Sequence, residues 1–279
     1  MRSILLTVLL MAGAAHAAAQ ENTARATAPR EGTVSVRTSS GSVRVVGWSR
    51  GEVAVTGGDQ VRITSRGGVT RVRPASGHEP LEVRVPEGSR VEVHTQSGNI
   101  QVSGVEGAVD LQSMSGSFRI SGSPRMVTVE GISGGVEMLG STETLRVQTV
   151  SGMISVPRAQ GFLELTTVSG NIDIASRGVR KATVRNVSGR TAFSGKIPDG
   201  ASLHFENTSG VTQLRVASGV SARFDLSSLA NGKIENELGP EPQRRDRYST
   251  TESIRFTRGS GGAEVTARTV NGVIRLRKQ

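Results

Sequence analysis

Residues 149–156 read TVSGMISV, and residues 167–174 read TVSGNIDI. The same phrase stands as QSGNIQV at 96–102, MSGSFRI at 114–120 and ISGGVEM at 132–138. Its glycines fall at 98, 116, 134, 152 and 170, an interval of 18 each time, then at 189 and 210 and, as Asn-Gly, at 232 and 272. A fixed period of this length is the mark of a stacked repeat. Counted from each glycine, position +2 holds Ile100, Phe118, Val136, Ile154 and Ile172, and position +4 holds Val102, Ile120, Met138, Val156 and Ile174. Positions +11 and +13 hold Val109 and Leu111, Val127 and Val129, Leu145 and Val147, Leu163 and Leu165. Position +16 is apolar as well, with Met114, Ile132, Val150 and Val168. Within each segment apolar and polar residues alternate, the period of a half-buried strand. No stretch sustains a helical period.

The reading is an all-β fold, a single-stranded parallel β-helix or β-solenoid with coils of about 18–22 residues. Successive coils stack as parallel strands about 4.8 Å apart, with inward Val, Ile and Leu in ladders along the axis. The glycine makes a corner with positive φ, and the serine beside it bonds nearby backbone. A left-handed hexapeptide helix would need an aliphatic residue every six positions, whereas the spacings here are 2, 7, 2 and 3. Handedness and the number of faces stay open. The outward positions agree with the register: Arg119 would stand beside Glu137, and Arg146 beside Glu164. No outward column repeats one polar residue type, so the repetition carries shape rather than a repeated ligand code.

The ends differ from the middle. Arg2, the apolar run ILLTVLLMAG (4–13) and the small residues AAHAAAQ (14–20) make residues 1–19 a signal peptide and imply a periplasmic, cell-surface or secreted protein. Residues 20–30 lack a pattern and read as a linker. Residues 31–95 read as irregular N-terminal coils with a cap that Trp48 suits, and residues 96–237 as the regular solenoid. Residues 238–253, with two prolines and a run of charges, read as an excursion loop, and residues 254–279 as closing C-terminal strands. No later stretch is long and apolar enough to span a membrane.

Composition narrows the chemistry. The chain has no Cys, which removes disulfides, Cys-bound metals and thiol nucleophiles. It has 35 Gly but only one Trp, one Tyr and six Phe in 279 residues, which suits thin, similar layers better than a globular enzyme core. The net charge is +10, nearly all of the basic residues being arginine, and outside the cytoplasm that favours anionic envelope polymers or lipid surfaces over nucleic acid. Arg244, Arg245 and Arg247 form the compact basic cluster and are the candidate contacts for an anionic partner. The histidines 78, 94 and 204 lie far apart without metal-ligand spacing. GISGG at 131–135 matches a nucleophile-elbow pattern, but it is one copy of the corner phrase rather than a strand–turn–helix. No carboxylate pair suggests a glycosidase. The sequence offers no catalytic residue, no metal site and no cofactor.

The export signal, the V-S-G-x-I-x-V coils and the closing TARTVNGVIRLR together resemble the bacterial putative-adhesin family of β-strand-repeat domains of unknown function, with its auto-transporter-adhesin-head and GIN-like relatives. The likeness spans roughly residues 31–279. It implies a β-solenoid outside the cytoplasmic membrane, concerned with adhesion or envelope sensing, and it brings no catalytic residues to transfer. The expected function is therefore a non-enzymatic envelope protein whose long face binds an anionic envelope polysaccharide or another envelope protein. Two alternatives remain at this level: a polysaccharide lyase or hydrolase, and a filament that self-associates through its terminal coils.

Overall fold

In a computed structural model the described residues are 23–58, 60–75, 79–239, 243–244 (backbone only) and 251–279. The signal-peptide segment 1–19 lies outside them. The described chain is all-β, and its strands belong to one hydrogen-bonded sheet of 21 strands.

The repeat phrase explains the middle of the molecule directly. Each coil contributes a short strand after the Ser-Gly corner and a longer strand before the next one. Ile100–Ser103, Phe118–Ile120 and Val136–Met138 are the short strands; Arg90–Ser97, Ala108–Ser115 and Met126–Ser133 are the long ones. Neighbouring coils pair parallel, in a register of one repeat: Val91 with Val109, Val109 with Val127 and Val127 with Leu145. On the other side Ile100 pairs with Phe118, Phe118 with Val136 and Val136 with Ile154. These ladders are fully buried, so positions +2, +4, +11 and +13 form the core as expected. From Thr144 to Gly195 the strand pairing runs unbroken through 52 residues, corners included. The longer repeats after Gly170 keep the pairing: Ala182 stands opposite Leu203 and Phe193 opposite Leu214. The solenoid-like stack is thus held by local glycine corners and by inward aliphatic columns.

Close approach, as much as positive φ, demands the glycines. At Gly152, with φ of 132°, a Cβ would lie 2.0 Å from the carbonyl oxygen of Gly134 in the preceding coil. The next corner down repeats this, since a Cβ on Gly170 would lie 1.9 Å from the Gly152 carbonyl oxygen. At four corners the serine beside the glycine, Ser133, Ser151, Ser188 and Ser209, reaches across coils rather than within its own bend. Ser151 Oγ donates to the Ile132 carbonyl at 3.4 Å, and Ser188 Oγ to that of Val168 at 3.2 Å.

Position +16 departs from the sequence reading. Met114 is 57% exposed, and Ile132, Val150, Val168 and Val187 are about equally so, in a column along the outside. The residue before most of them points inward instead: Ser113, Thr149, Thr167 and Asn186 are buried, as is Asn207 at the same place before Thr208, and a half-buried Gly131 precedes Ile132. This follows from phase. An alternation that buries +11 and +13 also buries +15, and residue type does not override it. The short residues at +15 leave room for the turn. Some use their polar groups locally, as Thr149 Oγ1 does on the Ser151 carbonyl at 3.1 Å, while both amide atoms of Asn207 lack a partner.

Both ends are assembled out of sequence order. Thr33–Arg37 pairs with Val69–Arg73 on one side and Arg90–Ser97 on the other, and Val43–Trp48 lies between Leu81–Pro86 and Ile100–Ser103. The coil 33–48 therefore sits second in space although it comes first in sequence. At the other end Ala263–Thr269 and Val273–Lys278 slot between Ser202–Val216 and the strands Ala222–Ser228 and Lys233–Asn236. The closing strands are inside the stack, not at its limit. Antiparallel strands finish both ends: Thr23–Thr27 on Glu52–Thr56, Arg62–Arg66 on Val69–Arg73, and Glu252–Arg258 on Ala222–Ser228. The segment expected as a linker thus contributes Thr23–Thr27 as a strand, because its alternating side chains can pair with an edge that would otherwise be open. Within the expected excursion loop, Gln243–Arg244 pairs with Glu252–Arg258.

Candidate functional site

Residues 62–73 read RITSRGGVTRVR. Two alternating runs flank Gly67 and Gly68, whose φ angles of 59° and 77° fit a two-residue hairpin turn. The strands Arg62–Arg66 and Val69–Arg73 pair so that Arg62 stands opposite Arg73, Thr64 opposite Arg71 and Arg66 opposite Val69. Directly opposed residues share a face. All four arginines therefore project from one face of the hairpin, while Ile63 and Val72 turn toward the core.

The parallel register extends that face. Ser35 stands between Arg71 and Glu92, Thr33 is opposite Arg90, and Arg37 is opposite His94. Four adjacent strands thus present Arg37, Arg62, Arg66, Arg71, Arg73 and Arg90 against a single carboxylate, Glu92. Glu92 is taken up by Arg90 at 3.4 Å. The other five arginines are exposed and, among the described residues, make no ion pair. Arg62 and Arg73 have Cβ atoms about 5 Å apart, a like-charge contact that disfavours the free state and that a bound anion would relieve. Arg62–Arg66 is also an edge strand, so its free backbone groups are guarded by charge.

Elsewhere the outward faces of the stack are more nearly balanced. The two ion pairs expected from the register are present, Arg119 to Glu137 at 2.9 Å and Arg146 to Glu164 at 2.8 Å. Further along, Glu206 accepts from His204 at 2.8 Å and from Arg185 at 3.0 Å. The His204 hydrogen bond, aided by Arg185 against the opposing effect of burial, holds the Glu206 carboxyl below the ordinary value of 4.5. One break in the pattern is Phe162, 46% exposed in a depression of about 350 Å³ whose lining includes Arg146, Lys181 and Arg185.

Of the residues singled out in sequence, Arg244 lies in the short strand Gln243–Arg244, and Arg245 and Arg247 lie outside the described residues, as does His78. His94 pairs with Gln112 at 2.8 Å, and His204 with Glu206. Trp48 donates its indole N–H to the Glu52 carbonyl at 2.8 Å and carries the Arg50 guanidinium 5.1 Å from its ring. GISGG is a corner between coils. Among the described residues no three His, Asp or Glu side chains gather as a metal site. The basic cluster that sequence spacing had favoured is thus joined by a larger one that spacing hid. Its signal was the Gly-Gly between two alternating runs, which folds arginines five to eleven positions apart onto one face.

Coils with corner glycines, out-of-order end coils and antiparallel caps recur over one continuous region, and the model of the Toastrack DUF4097 family matches residues 31–277. The chain belongs to that family. No curated protein matches the sequence. Among solved structures, this Toastrack DUF4097 chain is similar to a putative adhesin of Bacteroides fragilis, at 9% identity and a TM-score of 0.43, covering 91% of this chain and 95% of that one. It is also similar to a putative cell adhesion protein of Clostridium sporogenes (9% identity, TM-score 0.24, 93% and 100% covered). A putative lipid binding protein of Parabacteroides distasonis gives 8% identity and a TM-score of 0.28, with 92% and 97% covered.

Proposed function

We propose that this chain is an exported, non-enzymatic, adhesin-like protein of the cell envelope, a single-stranded parallel β-helix that binds an anionic envelope polymer through its arginine-bearing N-terminal face. The observation that carries the reading is the set of six arginines on four adjacent strands with one carboxylate among them. A guanidinium presents several N–H donors in a plane and takes carboxylate or phosphate oxygens two at a time. Carried on paired strands, they bind without the backbone ordering that a loop would require. Arg244, Arg245 and Arg247 are a second anionic contact in this proposal. The kinship with auto-transporter-adhesin-head and GIN-like domains, and the periplasmic, surface or secreted location, belong to it too. An arginine-bearing edge strand disfavours end-to-end stacking, which ranks adhesion above filament formation.

The test is co-sedimentation of the full mature chain with isolated envelopes and purified wall polymers at about 50 and 500 mM salt, where exposed charge contacts are progressively screened. Wild type should bind at low salt and release at high salt. Simultaneous replacement of Arg62, Arg66, Arg71 and Arg73 by Ser should abolish the low-salt binding with the far-UV spectrum unchanged. Undiminished binding by that variant would refute the reading.

A further inference from the structure

The long-strand face that carries the arginines continues down the stack, and one of its outward columns runs Val69, Thr33, Arg90, Ala108, Met126 and Thr144. Phe162 follows one repeat after Thr144, in the register fixed by the Arg146–Glu164 pair. Six strand spacings separate Phe162 from Val69, about 29 Å along one face. An aromatic ring half open to solvent is out of character in a column otherwise filled by small, polar or aliphatic residues, and the chain has few aromatics to spend.

Its surroundings are cationic and ordered. The Arg180 guanidinium lies 5.6 Å from the ring centroid. Arg146 is fixed through Nε on Glu164 Oε2 at 2.8 Å, and Arg185 through Nε on Glu206 Oε2 at 3.0 Å, so the terminal amino groups of both remain for an incoming acceptor. Lys181, on the rim of the same depression, forms no ion pair among the described residues. Thr144, Thr183 and Glu164 add hydroxyl and carboxylate groups that can exchange hydrogen bonds with alcohols.

We propose that Phe162, Lys181 and the Arg146, Arg180 and Arg185 guanidiniums form a subsite for one acidic sugar unit of an anionic polysaccharide lying along the rod. This rests on the adhesin-like reading and names its ligand. An apolar ring face packs on the C–H face of a pyranose, the cations take its acid group, and Glu164 with the two threonines takes its hydroxyls. The ring sits in a depression, where the headgroup plane of a bilayer does not reach but a single sugar of a flexible chain does. Among the described residues no second exposed aromatic follows for successive bases to stack on, which disfavours a nucleic acid.

The experiment is fluorescence anisotropy of the full mature chain with labelled polygalacturonate, and with neutral dextran, anionic-lipid vesicles and single-stranded DNA as comparison probes. Wild type should prefer polygalacturonate. Phe162→Ala should weaken that binding about tenfold, the scale of a hot-spot aromatic, and leave its salt dependence unchanged. Phe162→Tyr should restore most of the affinity, and Lys181→Gln should lower the salt dependence. Unchanged affinity in Phe162→Ala, with binding lost in the four-arginine variant, would overturn the subsite and leave the adhesin reading standing. Wild-type affinity in both variants would overturn both. Vesicles or DNA bound as tightly as polygalacturonate, and equally sensitive to Phe162→Ala, would overturn the sugar assignment.

Discussion

Replacing Gly152 by Ala should be far more damaging than replacing Gly67, although both have positive φ. At Gly67 (φ 59°) a Cβ would meet nothing within 4 Å, so Ala there costs only its backbone conformation, about 1 kcal/mol. At Gly152 the Cβ would lie 2.0 Å from a backbone carbonyl oxygen, and the neighbour is another coil, not a side chain that can rotate away. Ordinary contact begins near 3.5 Å, so the coils must part locally by about 1.5 Å. Overpacking of this kind costs roughly 1–3 kcal/mol, and each weakened interstrand hydrogen bond about 1 kcal/mol more. With the backbone cost the sum is about 4 kcal/mol. At roughly 2–4 °C per kcal/mol for a chain of this size, Gly152→Ala should lower the midpoint of thermal unfolding by about 8–16 °C and Gly67→Ala by about 2–4 °C. Far-UV circular dichroism during a thermal ramp reads both. Equal shifts would show that the corner needs only a backbone angle, and the close-approach argument would fail.

Three further outcomes follow from the same contacts. Leu145→Ala, in a fully buried ladder position, should cost about 3 kcal/mol in urea denaturation, and a cost below 1 kcal/mol would mean that neighbouring coils collapse into the space. Asn207→Leu removes an amide whose nitrogen and oxygen are both buried without partners, so it should leave stability unchanged or raise it; a clear loss in the urea midpoint would reveal a role for the amide. Stability should also fall in acid. The folded-state pKa of Glu206 lies below its ordinary 4.5, so its contribution is complete above that value and is lost as pH drops through the folded pKa. Urea midpoints between pH 7 and pH 3 should therefore decline less steeply in Glu206→Gln than in wild type, and parallel curves would contradict this.

How far the molecule could be read from its sequence depended on locality. The glycine interval and the alternation at +2, +4, +11 and +13 expose the stack, because each buried column is written one repeat apart along the chain. Position +16 misled because its valines and isoleucines look like core, while the phase of the strand sends them outward and buries Thr149 and Asn186 instead. The placement of coil 33–48 between coils 69–86 and 90–103 leaves no period to detect, since those pairings join unequal separations. The arginine face was hidden differently. Arg62 and Arg73 become neighbours only once Gly67–Gly68 closes a hairpin, so a search for contiguous charge passes over them in favour of Arg244, Arg245 and Arg247.

The interleaving of the C-terminal coil sets a condition on biosynthesis. Strands Ala222–Ser228 and Lys233–Asn236 find their parallel partners only in Ala263–Thr269 and Val273–Lys278, which are translated later. A polypeptide broken off before residue 263 would leave residues 222–258 without a coil to dock on, and the face of Ser202–Val216 uncovered as well. The last coil works as a keystone: fragments remain visibly unfinished, open to proteolysis, until it is in place.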